Sequence, residues 1–127
     1  MISKDLRDYT DMVLLEEEND LLHEMANINS KRHGIDNVYI WVGKAAGLKH
    51  SLRIKVSNTP NKMDIDNSFV IQMPSLDYDP TKVAKWIDKA TMDKILLWIK
   101  VNQQLLYDYE MGVLDDTDEF MNHIEKV

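Results

Sequence analysis

Apolar and polar residues alternate at three places in the middle of the chain and recur at helical spacing on either side. Residues 3–27 hold neither Gly nor Pro. There Leu6, Tyr9 and Val13 fall three and four apart, and Leu14, Leu21, Leu22 and Met25 extend the stripe. That period predicts helix. The run Glu16-Glu17-Glu18-Asn19-Asp20 interrupts it, so the segment reads as one long helix or two shorter ones. Residues 29–34 read as a break, with Gly34 the residue suited to positive φ.

The period then changes to two. Over residues 36–43, Val38, Ile40 and Val42 alternate with Tyr39 and Trp41. Residues 51–57 are the cleanest strand: Leu52, Ile54 and Val56 share one face, Arg53 and Lys55 the other. Residues 68–73 place Phe69, Ile71 and Met73 on one face. A turn containing Gly47 and a loop containing Pro60 separate these strands.

Beyond residue 74 the helical period returns. Asp79 before Pro80 has the chemistry of a helix start, a carboxylate N-cap followed by proline in the first turn. Val83, Trp86, Ile87 and Ala90 would line that helix. Thr91 is placed to cap a second helix carrying Ile95, Trp98, Ile99, Leu105, Leu106 and Tyr109 and stopped by Gly112. A short last helix starts within residues 115–118 and buries Phe120 and Ile124. The order predicts an α+β fold: an N-terminal helix, a three-stranded antiparallel meander, and C-terminal helices packed on one face. The predicted core is Val38, Ile40, Val42, Leu52, Ile54, Val56, Ile87, Ile95, Trp98 and Ile99.

The chain has 127 residues, the size of one domain, with residues 1–20 an acidic helical extension. Of these, 44% are hydrophobic and 29% charged, the balance of a folded cytoplasmic protein and too apolar for a disordered one. Without cysteine there are no disulfides, thiolate metal sites or thiol catalysis. The polar start lacks the form of a signal peptide, and no apolar run approaches the roughly 20 residues of a membrane helix. The net charge is −7, unevenly distributed. Residues 28–75 carry seven basic side chains against three acidic ones, whereas the flanking segments are acidic. A basic middle between acidic ends is a statement about partners.

Catalytic and cofactor motifs are missing. Gly43-Lys44-Ala45-Ala46-Gly47 follows a strand, but its lysine and spacing do not fit a phosphate loop, and a strand follows. His23, His33, His50 and His123 show no i,i+4 pairing. Asp64-Ile65-Asp66-Asn67-Ser68 begins like a calcium loop, but Phe69 and Ser75 stand where Gly and Glu are required. The expectation is a protein with no cofactor, no metal and no enzymatic activity. The informative constellation is the basic strand. Arg53 and Lys55 share a face, Lys49 and His50 lead into it, and Trp41 or Tyr39 neighbours it. Basic side chains beside aromatics suit single-stranded nucleic acid; a solvated sheet face or the footprint of an acidic protein partner are the competing readings.

Several of these residues also carry a resemblance. The run Met25-Ala26-Asn27-Ile28-Asn29, Gly34-Ile35, residues 38–42 with Trp41, His50, and Arg53-Ile54-Lys55-Val56 resembles a family of small uncharacterised bacterial and phage proteins. Its members share an A-N-(I/L)…G-(L/I)…W-(V/I)…H-x-x-R-I-K-V pattern, and residues 102–109 approximate a later N-x-x-x-L-L-x-Y-W segment. Asp108-Tyr109 stands where that segment ends in Tyr-Trp. The resemblance covers roughly residues 21–127 and implies a fold without assigning chemistry. Small acidic proteins of phages and mobile elements often act by binding a host protein. That is the first expectation here, with nucleic-acid binding through the basic strand as the alternative.

Overall fold

The computed structural model describes residues 25–43, 52–114 and 116–127. The helix expected over residues 3–27 lies outside them except for its last three residues, as do Lys49, His50 and the Gly43–Gly47 turn after its first residue. The fold is α+β, built on a four-stranded antiparallel sheet in the order β1-β2-β3-β4. Its strands are β1 (Met25–Ile28), β2 (Ile40–Gly43), β3 (Arg53–Ser57) and β4 (Ser68–Gln72).

β1 corrects the expected three-stranded meander. Met25 had been assigned to the helical stripe. Ala26 and Ile28 are instead buried and Asn27 is exposed, a period of two, and this segment pairs with β2 through Asn27 opposite Trp41. The break that follows is a single turn, α1 (Ser30–His33), capped by the Asn29 side chain and closed by Gly34 at φ 86°.

Three helices complete the described fold: α2 (Lys89–Val101), α3 (Gln103–Glu110) and α4 (Thr117–Asn122). The helix expected from Asp79 is only a 3-10 turn, Pro80–Lys82. Asn58 is the physical reason. Its side-chain amide donates to the Lys82 carbonyl at 2.8 Å and accepts from Ala84 N–H at 2.8 Å. Those are backbone groups that a continuing helix would use itself. The Asn58 carbonyl also accepts from the Trp86 indole at 2.7 Å. Regular helix therefore begins only at Lys89, nine residues beyond the expected start, and the helix expected from Thr91 is capped three residues earlier by Asp88.

The second long helix is divided at Asn102, whose side chain donates to the Trp98 carbonyl and to the Glu125 carbonyl, each at 3.0 Å. All ten predicted core residues are buried. They form one cluster with Ala26, Ile28, Phe69, Met92, Leu106, Tyr109 and Phe120 between the helices and one face of the sheet. Tyr109 stacks on Phe120 with ring centroids 4.3 Å apart. Ile124 is half-buried against the cluster. Among the described residues, no helix is long and apolar enough to cross a membrane.

Candidate functional site

The second face of the sheet follows from strand alternation. With Leu52, Ile54 and Val56 turned into the core, Arg53 and Lys55 turn the other way. The register places Trp41 between Asn27 and Lys55, and Val70 beyond Lys55, giving a transverse row Asn27–Trp41–Lys55–Val70. Arg53 stands opposite Gln72 in the next row. Arg53 and Lys55 are both half-buried, and each takes part in further interactions.

Trp41 departs from the expectation of an exposed aromatic. It is 1% exposed, on the side of the sheet away from the main core. Its ring lies 6.4 Å from that of half-buried Tyr39, at an interplanar angle of 56°. Its indole nitrogen is buried and has no hydrogen-bond partner among the described residues. Trp41 therefore cannot stack a nucleobase in this arrangement. Burial also pushes the Tyr39 hydroxyl above its ordinary range. Of the five sequence-selected residues, the structure brings Trp41 and Lys55 side by side, sets Arg53 in the adjoining row, and leaves Lys49 and His50 outside the described residues.

The histidine that the structure makes prominent is His33, which is fully buried. Its Nε2–H donates to the Val38 carbonyl at 2.8 Å, and Nδ1 accepts from Ile35 N–H at 2.9 Å. The ring meets Trp98 edge-on at 6.1 Å. Burial holds its pKa below the ordinary value of 6.5, against the opposing effect of the carbonyl partner. Both nitrogens are engaged with backbone, so His33 locks the α1 turn. No spacing signal in the sequence marked it. Among the described residues, no group of three His, Asp or Glu comes together as a metal site would need. Comparison with family models, with curated proteins and with solved structures returns no match to this chain.

Proposed function

We propose that this chain is a non-catalytic interaction protein, encoded by a phage or mobile element, that binds a host protein through the basic row around Arg53 and Lys55. The supporting observation is the sheet's second face, where two half-buried cations sit on an inner strand, Lys55 beside the buried Trp41. An Arg fork grips a carboxylate with two parallel bonds. A partner offering Asp or Glu side chains, such as a defence or nucleic-acid-processing factor, fits that chemistry. The buried indole favours a protein over single-stranded nucleic acid, because base stacking needs an exposed ring.

The test compares the wild type with Arg53→Ala/Lys55→Ala in co-purification from host lysate at low salt. The expected result is one stoichiometric protein retained by the wild type and lost with the variant, at a similar melting temperature. Failure to retain any stoichiometric partner refutes the proposal. Tight, salt-sensitive binding of single-stranded RNA or DNA in fluorescence anisotropy, lost in the same variant, replaces it with the nucleic-acid reading.

A further inference from the structure

β4 forms one edge of the sheet. Its hydrogen bonds to β3 alternate: Met73 N–H donates to the Leu52 carbonyl, and Asn58 N–H donates to the Asn67 carbonyl. The inward-bonding residues of β4 are therefore Phe69 and Ile71, while the backbone groups of Ser68, Val70 and Gln72 point away from the sheet. Gln72 is satisfied there. Its N–H donates to the Asp77 carbonyl at 2.9 Å, and its carbonyl accepts from Leu76 N–H at 2.6 Å, as the chain turns back. The returning segment then diverges toward the 3-10 turn instead of pairing with Val70. The backbone N–H and C=O of Val70 have no partner among the described residues.

The divergence opens a groove of 520 Å³ between the outer edge of β4 and the returning chain. Ser68 and Val70 line one side; Asp77, Tyr78, Asp79 and Lys82 line the other. The walls are fixed. Asn58 ties the Lys82 carbonyl back to the β3–β4 loop at 2.8 Å, and the Tyr78 ring leans on Phe69 at 6.3 Å. Asp79 accepts from both Thr81 N–H and the Thr81 hydroxyl, at 3.0 and 2.7 Å, which keeps its carboxylate ionised and in place.

We propose that this groove docks an extended peptide segment bearing a lysine or arginine, which adds to β4 at Val70 as a short fifth strand. The group complementary to one residue's outward N–H and C=O is another extended residue presenting the same pair in reverse. Ser68 to Val70 accommodates about three residues at a rise of about 3.4 Å each. The Tyr78 ring, packed on Phe69, supplies an apolar wall for a peptide side chain on the core side of the edge, and half-buried Val70 offers one on the other side. Two carboxylates against one ammonium on the returning wall favour a cationic neighbour, and the chain's charge of −7 draws such a segment in. The groove adjoins the basic row, since Val70 stands opposite Lys55 and Gln72 opposite Arg53, but its carboxylates lie on the far wall at Asp77 and Asp79.

The probe is a fluorescein-labelled heptapeptide of alternating valine and lysine, titrated by anisotropy at low salt. Saturable binding is expected, with amide shifts in ¹⁵N spectra concentrated at residues 68–72 and 77–82. Methylating the backbone nitrogen of the central valine removes one strand donor without touching the protein. It should weaken binding at least tenfold, as should replacing the lysines by glutamate. Val70→Pro removes the protein's donor at an edge position where proline is tolerated, and should weaken binding to the same degree. The proposal is overturned by absence of saturable binding up to millimolar peptide. It is equally overturned if the methylated or glutamate peptide binds as tightly as the parent. Should Val70→Pro fail to fold, the methylated peptide on wild-type protein decides alone.

Discussion

Asn102 is 3% exposed and makes three side-chain hydrogen bonds. Its Nδ2 donates to the Trp98 and Glu125 carbonyls at 3.0 Å each, and its Oδ1 accepts from Glu125 N–H at 2.8 Å. The amide thus grips one residue of the C-terminal segment by both backbone groups while marking the boundary between α2 and α3. Each bond is worth about 0.5–1.5 kcal/mol net. Glu125 lies at the surface, so water can reclaim its backbone groups once the segment lifts. Asn102→Ala should therefore cost about 2–3 kcal/mol, less than the summed desolvation of every partner. Asn102→Asp separates geometry from packing. It keeps the acceptor for Glu125 N–H but turns an oxygen toward two carbonyls. Its loss relative to wild type should be largest near pH 7 and shrink on acidification, when the protonated carboxyl regains a donor. Urea denaturation followed by tryptophan fluorescence at pH 7 and pH 4 measures both. An alanine variant within about 0.5 kcal/mol of wild type, or an aspartate variant whose deficit does not change with pH, refutes the clamp.

Trp98→Ala, which empties a fully buried indole site between His33 and the core, should cost about 3–5 kcal/mol by denaturation. Trp98→Phe should cost markedly less, since it also removes a buried N–H with no partner among the described residues. His33 has a folded-state pKa below 6.5, so the unfolded chain takes up its proton first. Its stabilising contribution is complete above pH 6.5 and is lost as the pH falls from there toward the folded value; the NMR titration of its ring should have a midpoint below 6.5 and match that decline. Gly34→Ala places a Cβ 2.7 Å from the Val127 carbonyl oxygen at φ 86°, and should lower the denaturation midpoint by about 1–3 kcal/mol of stability.

Three of the four strands were legible because apolar residues, mostly β-branched or aromatic, recur two apart on one face of each, and that alternation together with the helical period beyond residue 74 predicted ten core positions that are all buried. β1 was missed because four residues rich in small and polar side chains, at the end of a longer helical stripe, give too few alternations to decide. The shrinking of the helix expected from Asp79 to a 3-10 turn was invisible for another reason: Asn58, 24 residues before Lys82, captures the backbone that local chemistry would have made helical. Long-range capture of a backbone group leaves no periodic trace. On the second face, alternation predicted where Arg53 and Lys55 point, but period two places Trp41 on a face without saying whether that face is wet. The edge groove had no signal at all, because it consists of backbone groups left over where a hairpin stops pairing.

Arg32 reaches across 89 positions to donate to the Met121 carbonyl at 2.9 Å, Val127 N–H donates to the His33 carbonyl, and α4 packs on β1. Closing a loop of that span costs about 4 kcal/mol of chain entropy, roughly twice the cost of closing the ten-residue excursion between β3 and β4. The two halves of the molecule should consequently form at different stages of folding. Hairpin pairing of β2, β3 and β4 is local and should be fast, whereas the seam joining α1 to residues 121–127 makes contacts 89 and 90 positions apart and should close last. Run in reverse, that seam is where sub-global opening begins: amides of residues 123–127 should exchange with solvent through a low-energy detachment that leaves the meander protected.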